Sequence, residues 1–151
     1  MRQVNVQFRW LDPDRSRGLS LPAYASKQAA GMDAAAAITE DYTLHPGEIK
    51  LFPTGFAVAL PEGFEMQIRP RSGLALQHGI TVINAPGTVD ADYRGEVKIG
   101  LINLVQLSFT VQRGDRIAQL ILAPICRAHL QLVQDLGRTE RGDGGFGHTG
   151  R

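Results

Sequence analysis

The sequence predicts an all-β fold on three observations: apolar residues with a period of two, turn signals between the runs, and little helical periodicity. Val4, Val6, Phe8 and Trp10 alternate with Asn5, Gln7 and Arg9. Phe64, Met66 and Ile68 alternate with Glu65, Gln67 and Arg69, and Val97, Ile99 and Leu101 bracket Lys98. Leu107, Phe109 and Val111 alternate with Ser108, Thr110 and Gln112. Successive strand side chains point to opposite faces, so each run presents one apolar face to a core. The turn signals are His45-Pro46-Gly47-Glu48, Phe52-Pro53-Thr54-Gly55, Leu60-Pro61-Glu62-Gly63, Ala85-Pro86-Gly87 and Gln112-Arg113-Gly114-Asp115. Short strands punctuated this way suggest a sandwich, jelly roll or barrel.

Helical evidence is confined to two places. Gly73 to His78 reads as a short turn of helix ended by Gly79, and an ordinary N-cap at Ser72 is one of two readings of its start, the other being an anion site. Ala34 to Ala37 has helical propensity, a weak prior in β surroundings. Asp12 to Ser20 is charged and turn-prone and reads as a loop. The expected organisation is one β domain over residues 1–138 and a flexible, glycine-rich C-terminal arm over residues 139–151.

A chain of 151 residues is long enough for one core without staples. The formal net charge of +1 argues against a nucleic-acid coat or a polybasic membrane protein. Any phosphate affinity must therefore come from a local arrangement of groups. Cys126 is the only cysteine, which excludes an intramolecular disulfide and a cysteine-rich zinc site. Its place after Leu120-Ile121-Leu122-Ala123-Pro124-Ile125 predicts an inert buried thiol. Without an apolar leader or a membrane-length apolar run, the expected location is cytoplasmic, with no membrane partner.

Four segments could carry chemistry. The Arg141 to Gly150 tail contains an arginine, many glycines and Phe146. Glycine backbones can form an anion nest, arginine supplies a forked donor, and an aromatic face can cover a base. A solvated terminus explains the same composition equally well. In Pro70-Arg71-Ser72-Gly73-Leu74, a strand gives way to a helix where free N–H groups favour anions. Asn84 to Gly95 is the densest segment. Asp90 and Asp92 would share one strand face there, with Tyr93 on the other, and one carboxylate could act as a base toward water. A polar hairpin is the plain alternative. Arg116 and Gln119, finally, lie in the apolar run after Gly114 and need partners.

These segments resemble, in order, the five signature motifs of the homotrimeric dUTPase (dUTP pyrophosphatase) family. They are Ala30-Gly31-Met32-Asp33, Pro70 to Leu74, Gly87 to Gly95, Gly114 to Leu120, and the Arg141 to Gly150 tail. The resemblance implies a jelly-roll-like β-barrel assembled as a homotrimer, with active sites shared between subunits and closed by the arms. It implies Mg2+-assisted hydrolysis of dUTP to dUMP and pyrophosphate, which limits uracil in DNA and supplies a dTTP precursor. Asp90 would orient and deprotonate the water that attacks the α-phosphorus. Asp33 would serve the magnesium–phosphate region through water. Arg71, Ser72, Gly73, Arg116 and Gln119 would hold the phosphates, while Arg141 and Thr149 would grip their γ end, Gly147 would contact the substrate and Phe146 would cover uracil. Asn84 and backbone groups near Val89 would read the base, Gly87 and Thr88 would make further contacts to the nucleotide, and Tyr93 would exclude a 2′-hydroxyl. Lys98 lies where relatives contact the nucleotide, although it fits a solvated strand position equally.

His148 departs from the hydroxyl residue common in the family, which leaves the γ-phosphate contacts open. A dCTP deaminase shares the fold but needs a glutamate beside the base, whereas this hairpin carries Asp90 and Tyr93 in the hydrolase pattern. A zinc-type deaminase would need a Cys-x-x-Cys pair that one cysteine cannot supply. A non-catalytic nucleotide-binding module would be expected to lack Asp90 or the tail, and both are present.

Overall fold

Period-two patterning becomes alternating burial in the computed structural model, which describes residues 3–145. In chain order the elements are β1 (Gln7–Trp10), β2 (Ala23–Tyr24), β3 (Met32–Ala35), β4 (Tyr42–Leu44), β5 (Ile49–Pro53) and β6 (Phe56–Ala59). They continue with β7 (Phe64–Arg69), α1 (Ser72–His78), β8 (Ile80–Val82), β9 (Gly87–Val89), β10 (Lys98–Asn103), β11 (Phe109–Val111) and β12 (Arg116–Pro124). Met66, Ile68, Val97, Ile99, Leu101 and Val111 are buried as their alternation requires. Each such side chain contributes about 1.5–3 kcal/mol of hydrophobic stabilisation. Leu107 departs from its run: the strand starts only at Phe109, and Leu107 stands exposed in the preceding turn.

The fold is jelly-roll-like, but its strands form open sheets rather than a continuous closed cylinder. Pairing gives β1-β6, β5-β10-β8 and β11-β4, with a larger sheet ordered β2-β3-β12-β7-β9. The sheets enclose a common core in which Leu44, Phe52, Phe56, Met66, Ile99, Leu101, Ile117 and Leu120 are almost fully buried. Phe8 and Phe56 pack with ring centroids 4.9 Å apart across the β1–β6 pair. Asn103 lies wholly inside, yet every polar atom of its amide is used. Its Nδ2 donates to the carbonyls of Leu44 (3.0 Å) and Leu107 (2.8 Å), and its Oδ1 accepts the Val105 N–H (3.1 Å). A buried amide so satisfied ties the 104–108 turn to β4 instead of weakening the core.

The Ala34–Ala37 stretch is not helical. Met32 to Ala35 pair with β12, and Ala34 and Ala36 are buried in the core, so sheet packing overrides propensity. The predicted helix is present as α1 and ends at Gly79 in the left-handed region (φ 66°). The cap residue is Arg71 rather than Ser72, which lies inside the first turn. Cys126 is exposed, contrary to the expected buried thiol. The apolar run belongs to β12, which stops at Pro124, and Cys126 follows the sheet instead of joining it. From there to residue 145 the chain forms neither strand nor helix, with Leu130, Leu132 and Leu136 largely exposed. Among the described residues, no helix is long and apolar enough to cross a membrane.

Candidate active site

The expected site residues fall into two groups, both anchored on the five-stranded sheet. The first lies at β9 and the turn after it. A cleft of about 260 Å³ is lined there by Asn84, Gly87, Thr88, Val89, Asp90, Tyr93 and Lys98, with Leu51, Ile68, Glu96 and Val97 completing the wall. Among the described residues, β9 is the outer strand of its sheet and pairs only with β7, so its far backbone edge has no partner strand there. Gly87 sits opposite Ile68. A Cβ on Gly87 would come within 3.1 Å of Asn84 Nδ2 and 3.2 Å of the Ile68 Cβ, so glycine lets the asparagine lie close to the strand.

Asp90 and Asp92 do not share a strand face, because β9 ends at Val89. The Tyr93 N–H donates to the Asp90 carbonyl (3.1 Å), and this turn brings Tyr93 back to the same cleft as Asp90. Asp92 instead lines an adjoining cleft with Glu62, Arg94 and Arg127. The Tyr93 hydroxyl donates to the Glu96 carbonyl (3.0 Å), and the Arg94 guanidinium donates to the Ala91 (2.7 Å) and Tyr93 (2.9 Å) carbonyls. Glu96, not singled out in the sequence, also accepts the Gly55 N–H (2.9 Å) and pairs with Lys98 (3.6 Å). Its spacing of two from Lys98 was the available signal.

The second group is centred on Asp33, whose side chain is only 11% exposed. One carboxylate oxygen meets Arg71 Nε at 3.3 Å and the other meets Arg116 Nη1 at 2.9 Å. Gln119 Nε2 approaches at 3.4 Å, a long contact. Arg71 Nη1 also donates to the Arg116 carbonyl at 2.8 Å. The sheet explains the convergence: Gln119 of β12 stands opposite Asp33 of β3 on one side and Arg69 of β7 on the other. A register shift between Arg116 and Ala118 re-aims the start of β12. Arg116 and Gln119 thus find the partners their apolar strand could not supply. Arg69 and Gln67 extend the polar row along β7, with Arg69 donating to Gln67 (2.5 and 3.0 Å) and Gln67 to Glu65 (2.6 Å).

Among the described residues, no side-chain hydrogen bond or ion pair joins the two groups; the β7–β9 backbone ladder lies between them. Ser72 and Gly73 begin α1 beside Arg71, and both are exposed. Arg141 bonds within its own turn, Nε donating to the Gly144 carbonyl at 2.7 Å. Phe146, Gly147 and Thr149 lie outside the described residues.

Fold and site together define the class: a jelly-roll-like all-β protein with a cleft on a strand edge and a carboxylate–arginine cluster on the same sheet. The dUTPase family model matches residues 18–150. A deoxyuridine 5'-triphosphate nucleotidohydrolase of Desulfotalea psychrophila (strain LSv54 / DSM 12343) is 60% identical over 148 residues, covering 98% of this chain and 99% of that one. Its counterpart from Maricaulis maris (strain MCS10) is 56% identical over 152 residues, covering 99% of each. The solved Staphylococcus bacteriophage 80alpha dUTPase with dUPNHPP superimposes with a TM-score of 0.84 at 26% identity, covering 97% of this chain and 99% of that one. The chain belongs to the dUTPase family.

Proposed function

We propose that this enzyme hydrolyses dUTP to dUMP and pyrophosphate, with the uracil and sugar in the β9 cleft and the phosphates drawn to arginines of the Asp33 kind of cluster. The observation that carries this reading is the convergence of Asn84, Thr88, Val89, Asp90 and Tyr93 on one small cleft at an unpaired strand edge. Free backbone groups along that edge suit the donor–acceptor rim of a base, and Asn84 adds an amide carrying both functions. Tyr93 supplies a flat wall against the sugar.

Asp90 is exposed at the rim, where its carboxylate can take a proton from water. In the reaction, the water oxygen bonds to the α-phosphorus as the bond to the bridging oxygen of pyrophosphate breaks. The water proton passes to Asp90. Arg71 and Arg116 are held by Asp33 but retain further N–H donors, and Gln119 lies beside them. Two fixed guanidiniums suit a polyphosphate in both charge and geometry. Ser72 and Gly73 supply exposed N–H groups in the first turn of α1, which have no partner within the helix. A Cβ on Gly73 would meet nothing within 4 Å, and its φ is not left-handed, so internal packing does not explain the glycine. Close approach of a phosphate would.

Among the described residues, no three His, Cys, Asp or Glu side chains converge on a metal position, and both Asp33 oxygens are engaged by arginines. These residues fit a water-mediated contact to Mg2+, not a protein-built cage, and the ion would be held mainly by the substrate phosphates. Bound there, it would supply charge neutralisation on the phosphate oxygens. The arm over residues 139–151 would close the site, with Arg141, Gly147 and Thr149 at the γ-phosphate and Phe146 over the base. A homotrimer with shared sites is supported by exposed apolar residues: Ile49 and Leu51 (58% and 56% exposed) lie on β5, and Leu51 and the exposed Ile83 both border Gly100. Leu51 also lines the cleft, so a covering subunit would border the site. Cytoplasmic action on a free nucleotide, limiting uracil in DNA and yielding a dTTP precursor, completes the reading.

The test is incubation with magnesium and each deoxynucleoside triphosphate, with pyrophosphate and ammonia both assayed. Pyrophosphate from dUTP alone is expected. Ammonia from dCTP would move the enzyme to the deaminase branch, and absence of both products would overturn the reading. Light scattering should give three times the 16.4 kDa chain mass, and a monomer would refute shared sites.

A further inference from the structure

Tyr93 is held in place by an unusual vacancy. It is 45% exposed, so packing alone does not immobilise its ring. The ring instead folds back over its own chain, and its hydroxyl donates to the Glu96 carbonyl at 3.0 Å. The space it crosses belongs to Gly95. A Cβ there would stand 2.4 Å from Tyr93 Oη, 2.6 Å from Cζ and 3.0 Å from Cε2. The φ of Gly95 is not in the left-handed region, so the backbone itself would tolerate alanine. One methyl group at residue 95 is therefore incompatible with this position of the tyrosine, whose ring supplies the three nearest atoms to it.

We propose that Gly95 is the positioning residue that sets sugar specificity, by keeping Tyr93 latched to Glu96 as a wall of the cleft. This rests on the proposed dUTP reaction and on the place of Tyr93 beside the sugar. With Gly95→Ala, the ring must leave the Glu96 carbonyl. Because the ring is half exposed, it can do so by rotating toward solvent, which costs the fold little. The wall then recedes from the sugar, and a ribose with its 2′-hydroxyl fits where only deoxyribose fitted. Discrimination resting on the exclusion of one small group is worth about 10–200-fold, and that is the range the latch controls.

The experiment compares kcat/KM for dUTP and UTP in the wild-type enzyme, Gly95→Ala and Tyr93→Phe. Thermal unfolding of each variant and a structure of Gly95→Ala accompany it. The expected result is a dUTP/UTP preference reduced at least about tenfold in Gly95→Ala, near-native thermal stability, and a Tyr93 hydroxyl displaced from the Glu96 carbonyl. Tyr93→Phe keeps the ring and loses only the latch, so its preference should fall between those of wild type and Gly95→Ala. An unchanged preference with a displaced ring would overturn the proposal, as would a ring still latched in the alanine variant. Failure of the wild-type enzyme to hydrolyse dUTP would refute the proposed function instead, so the two failures are separable. If Gly95→Ala does not fold, the dUTP/UTP preference and structure of Tyr93→Phe decide: an unchanged preference with the ring unmoved would overturn the proposal.

Discussion

The cleft at β9 takes most of its lining from one stretch of chain, Asn84 to Lys98, whereas Asp33 gathers Arg116 and Gln119 from 83 and 86 positions away. The cleft is shaped by backbone: a turn, close approaches over glycine, and a tyrosine hydrogen-bonded to a main-chain carbonyl. The Asp33 cluster is shaped by charge, and it exists only once β3, β12 and the start of α1 have been assembled. Shape recognition can therefore be encoded locally, while a charge clamp has to be delivered by the completed sheet. No single substitution should damage both regions equally.

The largest effect should follow Asp90→Asn, which leaves the cleft's shape and removes the proposed proton acceptor. We expect kcat to fall about 10²–10⁴-fold with dUTP binding retained, as measured by single turnover and calorimetry. Undiminished turnover would remove Asp90 from the chemistry. Next, ending the chain after Glu140 should cost about 100-fold in kcat/KM while circular dichroism and the oligomer mass stay native. A truncated enzyme with full activity would mean that cleft and cluster suffice without the arm.

Asp33→Asn bears on the other half of the comparison. Freed from the carboxylate, Arg71 and Arg116 lose their fixed orientation, and kcat/KM for dUTP should fall about 10–100-fold. Native kinetics would show that backbone alone orients the guanidiniums, which would erase the contrast between the two regions.

The smallest effect lies in a pair belonging to neither region, Tyr42 and Glu48. Their hydrogen bond holds the Glu48 carboxyl below its usual range, helped by the His45 N–H, and pushes the Tyr42 phenol above its own. A depressed carboxylate stabilises the fold above its unfolded value, and that contribution is lost as pH falls through the lower folded value. The raised phenol contributes below its unfolded value, and its contribution is lost as pH rises through the higher folded one. Glu48→Gln should therefore flatten the acid limb of a Tm-against-pH curve slightly and leave kcat/KM alone. An acid limb identical to that of wild type would show that the bond contributes nothing to stability.

Much of this was legible from local chemistry. The alternations at Phe64–Ile68 and Val97–Leu101 mark β7 and β10 because a half-buried strand repeats every two residues. The Asn84 to Tyr93 segment was legible as a unit because the cleft is itself a sequence-local object. The partners of Arg116 and Gln119 could be required but not named, since only the β3–β12 register places Asp33 opposite Gln119. Cys126 was misplaced because hydrophobicity marks β12 without marking its end at Pro124. The paired face for Asp90 and Asp92 failed for a similar reason: the strand gives way to a turn after Val89.

β9 has only three residues and stands at the outside of its sheet. An unpaired edge is also what an incoming chain needs to begin an intermolecular ladder, and self-templating segments run to about six or seven residues. By stopping at Val89, β9 leaves the proposed base site a few backbone groups while denying a second chain the length for a cross-β contact. The turn at Asp90 thus limits aggregation as well as placing a carboxylate, and a substitution that lengthened this strand would threaten solubility before it touched the chemistry.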